Sequence, residues 1–236
     1  MYKQAILSYN VLDDEDDEDD EKKNKESKKK INNILMDFME IPIKKYPLTD
    51  KDKSQIKKDI TFIIPSIGRS TLKRTLLSLQ NLNIKDWKAI VIFDGVEPQN
   101  SVDDERITYT RIDKIGTLNH GGNVRNHGIK MSTTTWVGFV DDDDTLTPDY
   151  LDECYNLSNQ YDPDVILFRM KNGNTIIPTI GAQKIVLGDV GISFCMKKCD
   201  IYFVPSSTED YFLLKNLNDQ NKSIIVSDKV CYMVNC

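Results

Sequence analysis

The sequence has no long hydrophobic run. Its longest apolar stretches, such as Ala89–Phe93, are a handful of residues, far short of the roughly 20 that a membrane-spanning helix needs. A secretory leader is missing too: Ala5-Ile6-Leu7 is too short for an apolar core, and acids soon follow it. Histidine is limited to two residues, and the five cysteines (Cys154, Cys195, Cys199, Cys231 and Cys236) are an odd set without repeated spacing. Cys195 and Cys199 could form half of a metal site, but no second half with Cys/His spacing exists. Free thiols in a reducing, cytoplasmic compartment are therefore expected. Sequons at Asn156 and Asn221 carry little meaning without a secretory signal. Excess positive charge is also absent. The net charge is −6; residues 1–58 hold 13 Lys/Arg against 14 Asp/Glu, and residues 59–236 hold 18 against 23. An acidic C-terminal portion argues against duplex nucleic acid as a partner.

What the sequence does have begins with two charge blocks. Asp13–Glu21 is nine consecutive acids, and Lys22–Lys30 carries six lysines and one glutamate. Neither block can bury apolar surface to offset its ordering entropy, so residues 1–30 read as a disordered polyampholyte tail, with partner docking as its functional reading. Ile31–Ile41 has apolar residues at helical spacing and ends before Pro42, and a polar, Lys-rich linker follows, so residues 31–58 read as a short helix and linker.

From residue 59 to 236 the texture is that of a folded domain. Ile60–Pro65 is a continuous β-branched run closed by turn residues, as in a buried parallel strand. Leucines at helical spacing predict a helix over Thr71–Leu82, capped by Ser70 or Thr71, and Trp87–Phe93 predicts a second buried strand. Strand, helix and strand in some thirty residues make a right-handed βαβ unit. A more exposed strand is predicted at Arg106–Arg111, a helix at Val124–Met131 and a strand at Trp136–Val140. A helix over Tyr150–Asn159, a strand over Val165–Met170 and a helix over Tyr211–Leu217 complete the pattern, with residues 173–205 read as mixed strand and loop. The fold class is α/β: a Rossmann-like, doubly wound, mixed but mostly parallel sheet flanked by helices, in one domain. Ligands of such sheets sit beyond the carboxyl ends of the strands, where the strand order reverses.

Asp141-Asp142-Asp143-Asp144 stands at such an end. Four adjacent like charges raise one another's pKa unless a cation is present. On extended backbone, alternate residues point the same way, so Asp141 and Asp143 are expected to share an ion while Asp142 faces away. Oxygen ligands favour a hard divalent ion, Mg²⁺ or Mn²⁺, with phosphate oxygens completing its shell. A solvated acidic loop is the alternative, but these acids follow a core strand rather than low-complexity sequence. Asp94 ends the second strand in the same manner, either as a contact to a base or ribose or as the first half of an Asp-Gly turn. Gly121-Gly122 opens the next helix, as a phosphate cradle or a plain turn, and Arg125 could add a guanidinium to a carboxylate or phosphate. His120 and His127 flank this segment without metal-like spacing. Glu209 and Asp210 fall in the first turn of the last helix, as partners of its dipole or as a general base.

The order of these motifs resembles the inverting nucleotide-sugar glycosyltransferases of family 2, which have the GT-A fold. ITFIIPSIGR (60–69) resembles their first strand and its loop, with Ile67-Gly68 in place of Tyr-Asn, and VIFDG (91–95) their second strand and aspartate. VRNHGI (124–129) is similar to their Ala-Arg-Asn segment, FVDDDDTLTP (139–148) to their aspartate motif and STEDYFLLKNL (207–217) to their Glu-Asp helix. The resemblance implies an NDP-sugar donor, UDP-linked by family frequency, and a hydroxyl acceptor. It implies nucleotide contacts from Pro65, Ser66, Asp94, Arg125, Asn126 and Asp142, a Mn²⁺ or Mg²⁺ ion on Asp141 and Asp143, and Asp210 as the base. An Arg-rich segment that often follows the Glu-Asp helix is missing, with Lys215 the nearest cation. The chain ends soon after the last expected strand, which implies a minimal catalytic domain without membrane helices. A nucleotidyltransferase would need a Gly-rich basic loop after the first strand, where only Gly68 and Arg69 stand. A non-catalytic nucleotide-sugar binder, recruiting partners through its tail, would have lost the base or a metal aspartate; none is lost.

Overall fold

The computed structural model describes residues 39–43, 59–116 and 121–234. The tail of residues 1–30, most of the predicted helix and linker, His120 and Cys236 lie outside the described residues. Among the described residues eleven strands and four helices follow one another in this order: β1 Ile41–Pro42, β2 Ile60–Ser66, α1 Leu72–Gln80, β3 Lys88–Asp94, β4 Ile107–Ile112, α2 Gly122–Met131, β5 Trp136–Phe139, β6 Thr145–Leu146, α3 Tyr150–Tyr161, β7 Val165–Asn172, β8 Thr175–Ile177, β9 Lys184–Ile185, β10 Phe194–Lys197, α4 Glu209–Asp219 and β11 Ile224–Val234. All belong to one unit, residues 40–236.

The main sheet has nine strands in the order β4-β3-β2-β5-β10-β7-β11-β6, with β8 beside β7. Strands β4, β3, β2 and β5 run parallel, as do β7 and β11, while β10 lies antiparallel between β5 and β7. The sheet is therefore mixed and mostly parallel, as expected. Its central strands are buried on both faces because their side chains are apolar in both directions: Phe62, Ile63, Ile64, Val91, Ile92 and Phe139 are fully buried. Strand β4 alternates in exposure and lies at the edge. The chain builds outward from β2 through β3 to β4, then α2 returns it to β5 on the other side of β2. The strand order thus reverses at β2, and the carboxyl ends of β2, β3 and β5 frame that point.

Local details differ from the sequence expectations. Thr71 is the N-cap position of α1, but its side chain makes no capping bond, and Leu77 on the same helix is exposed. The predicted helix through Ile41 does not hold at its end: Ile41 and Pro42 form a short strand paired with Lys184–Ile185. Ile41 is fully buried there, and β1 packs on α4; a proline tolerates this place because an edge strand can spare its missing N–H. No helix among the described residues is long and apolar enough to cross a membrane.

Candidate active site

A cleft of about 380 Å³ opens at the reversal point, a volume within the range of small-molecule sites. Pro65, Ser66, Asp94, Arg125, Asp141 and Asp142 line it, all of them expected from the sequence, together with the cations Arg69 and Lys114. Asp143, Asn126 and Asp210 do not line it.

The aspartates at the end of β5 form a reverse turn rather than extended backbone, closed by the Asp144 N–H donating to the Asp141 carbonyl at 3.1 Å. Alternation of side chains therefore fails, and the expectation that Asp142 faces away is corrected. Asp142 is buried in the cleft wall, where it accepts the Ser66 hydroxyl at 2.7 Å. Burial pushes its carboxyl above the ordinary range, against the pull of Ser66 and Arg69. Asp143 sits at the rim and accepts Arg69 Nη1 at 2.7 Å, while Arg74 Nη2 donates to its carbonyl at 2.8 Å. Asp144 is buried and accepts the Tyr232 hydroxyl at 2.8 Å; that hydroxyl also receives the Asp141 N–H at 3.1 Å. The turn offsets its charge with donors from several elements, and Asp142 and Asp143 share Arg69 Nη1.

Asp141 pairs with Arg125 of α2, whose other nitrogen, Nη1, donates to Glu209 at 2.7 Å. Arg125 is buried, which works against its charge, but Asp141, Asp210 and Glu209 outweigh burial and hold its pKa above the ordinary value. This ion pair also accounts for Gly121-Gly122. A Cβ on Gly121 would stand 3.0 Å from Arg125 Nη1, and one on Gly122 would collide with the Glu209 carboxylate and Phe203. The two glycines leave room for a buried carboxylate–guanidinium contact; they are neither a bare turn nor a demonstrated phosphate cradle.

Asp94 accepts the N–H groups of Ile115 at 2.7 Å and Gly116 at 3.0 Å, so its two oxygens fasten the segment after β4 against the cleft. Asn126 turns away from the cleft. Its amide donates to the Phe203 carbonyl at 2.9 Å and accepts the Phe203 N–H at 2.8 Å, which fixes the segment leading to α4. His127 is exposed on α2.

Asp210 follows Glu209 in the first turn of α4. One of its oxygens, Oδ1, is buried without a hydrogen-bond partner. Burial raises its pKa, Arg125 lowers it, and Asp141 and Glu209 raise it further, leaving it pushed up to about 7. A carboxyl poised there exchanges a proton near neutral pH, as a general base must. Arg69 and Lys114 were not singled out as site residues in the sequence, and Glu209 was read there as a dipole partner or a base, not as the partner of a buried arginine. Glu209 reads as an ordinary first-turn acid, and its partner lies 84 residues away; no local pattern signals such a pair.

Among the described residues no group of three or more His, Cys, Asp or Glu is placed to hold a metal ion. Asp141 and Asp143 have the donor chemistry a hard cation takes, both being carboxylates with partly exposed side chains, at 37% and 29%, although the turn does not set them on one side as extended backbone would. Such an ion would take its remaining ligands from phosphate oxygens and water, the usual state of Mg²⁺ in phosphate sites.

A family model described as Glycosyl transferase family 2 matches residues 61–222. No curated protein matches the chain. Among solved structures it is similar to residues 1–349 of S. aureus TarS, with 19% identity and a TM-score of 0.58 over 75% of this chain and 60% of that one. The same protein in complex with UDP gives 20% identity and a TM-score of 0.58, again over 75% and 60%. Its complex with UDP-GlcNAc gives 19% and 0.56 over 75% and 58%. At such identity the likeness is one of fold, and the chain spans about 60% of the length of the TarS structures it matches.

Proposed function

We propose, from the premise that the chain belongs to glycosyl transferase family 2, that it transfers a sugar with inversion from a nucleoside-diphosphate donor to a hydroxyl acceptor. The observation that carries this reading is the placement of Asp210, a carboxyl with a pKa near 7, beside the Arg125–Asp141 pair of the cleft wall. The donor nucleotide lies in the cleft against Pro65, Ser66 and Asp94, with Asp142 and Arg125 shaping its wall and Asn126 fixing the segment that carries α4. UDP is the favoured nucleotide, supported by the UDP and UDP-GlcNAc complexes of TarS.

Asp141 and Asp143 would hold Mn²⁺ or Mg²⁺, which would supply Lewis-acid neutralisation of charge on the leaving diphosphate. The chain's own contribution is at the acceptor. An alcohol is a poor nucleophile at neutral pH, and Asp210 takes its proton as the oxygen attacks the sugar carbon. The bond to the diphosphate breaks with its electron pair leaving on the phosphate oxygen. Attack from the face opposite the leaving group inverts the carbon, and one carboxylate base suffices. A cytoplasmic setting agrees with the free thiols of Cys154, Cys195, Cys199 and Cys231.

A thermal-shift screen of UDP-, GDP- and dTDP-sugars, each with and without Mn²⁺, tests this function. A metal-dependent rise in melting temperature for one nucleotide, UDP, is expected. No rise with any of them would contradict it.

A further inference from the structure

We propose that Arg69 is a built-in, exchangeable cation of the donor site: it holds the aspartate turn when no metal ion is bound, and passes to the donor diphosphate when a divalent cation takes Asp143. The inference rests on the donor reading above and goes beyond it in naming a residue that carries the diphosphate's charge.

Arg69 places one nitrogen between two carboxylates, Nη1 standing 3.2 Å from Asp142 Oδ1 and 2.7 Å from Asp143 Oδ2. A single positive charge there does part of the work of a bound cation. The backbone that presents it is fixed. Ser66 Oγ accepts the Gly68 N–H at 3.0 Å, and the Asn100 amide donates to the carbonyls of Gly68 at 3.1 Å and Arg69 at 3.2 Å. Gly68 has φ +80°, which favours glycine, and Asn100 has φ +58°, a conformation asparagine tolerates. The side chain, by contrast, is 41% exposed. Its pair with Asp143 lies at the solvent edge, where a divalent ion can compete for the carboxylate, while the buried Asp142 keeps the Ser66 hydroxyl.

The turn can lose Arg69 without losing its shape. Arg74 holds the Asp143 carbonyl, and Tyr232 holds Asp144 and the Asp141 N–H. The exchange therefore requires only a side-chain rotation.

The need for such a cation is visible in the rest of the cleft. Lys215, the nearest cation after the Glu-Asp pair, is spent on Asp219 one turn along α4. Arg125 is buried and committed to Asp141 and Glu209. Arg69 and Lys114 are the other cations lining the cleft, and of these Arg69 alone is joined to the aspartate turn. A guanidinium suits the role because its planar fork fits carboxylate and phosphate oxygens equally well.

Calorimetric titrations of the wild-type protein, Arg69→Met and Arg69→Lys with Mn²⁺ alone, and with UDP in saturating Mn²⁺, test the proposal. Arg69→Met is expected to bind Mn²⁺ alone several-fold more tightly, because the competing cation is gone. It should bind UDP in Mn²⁺ about tenfold more weakly, the loss of one charge-assisted contact; Arg69→Lys should fall between it and the wild type. Unchanged or weaker Mn²⁺ binding by Arg69→Met overturns the inference, as does unchanged UDP binding. Failure of the wild-type protein to bind UDP at all would instead overturn the donor reading itself, so the two failures are distinct.

Discussion

Two arginines pair with the carboxylates of the same aspartate turn, one from a loop and one from a helix. Arg69 comes from the loop after β2 with 41% of its side chain exposed, and meets the buried Asp142 and, at the edge of the solvent, Asp143. Arg125 comes from the first turns of α2 and meets Asp141 and Glu209 in the interior, with 7% exposed. The chemistry of the contacts is the same, and burial separates their consequences. An exposed pair is weak, salt-screened and replaceable. A buried one cannot release either partner without stranding a charge. The turn is thus open to ligand exchange on the Arg69 side and rigid on the Arg125 side, where α4 and Asp210 are anchored.

The sharpest break on the rigid side is Asp210→Asn. It is expected to keep UDP binding while lowering transfer by about 10²–10⁴-fold, the usual contribution of a general base; turnover near the wild-type value would place the base elsewhere. The same substitution has a consequence for stability. The folded pKa of Asp210 is raised to about 7, well above the usual carboxylate value, so the folded state binds this proton more tightly than the unfolded state. Its effect on stability is most favourable at acid pH and is lost as pH rises through about 7. Asp210→Asn should therefore raise the melting temperature at pH 8 relative to wild type and lose that advantage toward pH 5.

Arg125→Met tests the contrast itself. Removing one partner of a buried pair should cost about 3–5 kcal/mol in denaturant unfolding, whereas Arg69→Met should cost clearly less, since its side chain is exposed and the buried Asp142 keeps the Ser66 hydroxyl. Equal losses would erase the distinction. On the open side, Asp143→Ala should abolish the Mn²⁺-dependent part of UDP binding and leave the melting temperature nearly unchanged; unaltered UDP affinity in Mn²⁺ would remove Asp143 from the metal assignment.

The parallel half of the sheet was readable because its strands are continuous apolar runs and its carboxylates stand at their ends. Ser66 and Asp142 were expected in the cleft from the family resemblance, while strands β2, β3 and β5 and the cleft positions of Asp94 and Asp141 follow from that pattern. The direction of the aspartate side chains did not, because the hydrogen bond closing Asp141–Asp144 into a reverse turn leaves no mark in composition or spacing. Gly121-Gly122 was ambiguous for a related reason: its cause is Glu209, brought near by tertiary packing. Strand β10 escaped notice because four residues set antiparallel between β5 and β7 carry too little periodicity to stand out from loop. The smallest effect is predicted for the tail. Deleting residues 1–30 should leave the melting temperature unchanged, since the charge blocks that make up most of it carry no apolar surface to bury; a clear drop would give it a structural role.

The most direct measurement is the pH dependence of nucleoside-diphosphate release from a UDP-sugar, with Mn²⁺ present and water serving as acceptor. The wild-type rate should rise with pH as Asp210 loses its proton, with a midpoint below the metal-free value of about 7 because Mn²⁺ beside Asp141 offsets a charge that raises it, and the rise should vanish in Asp210→Asn. A profile that is flat across that range, or one that Asp210→Asn reproduces, would contradict the assignment of Asp210 as the base.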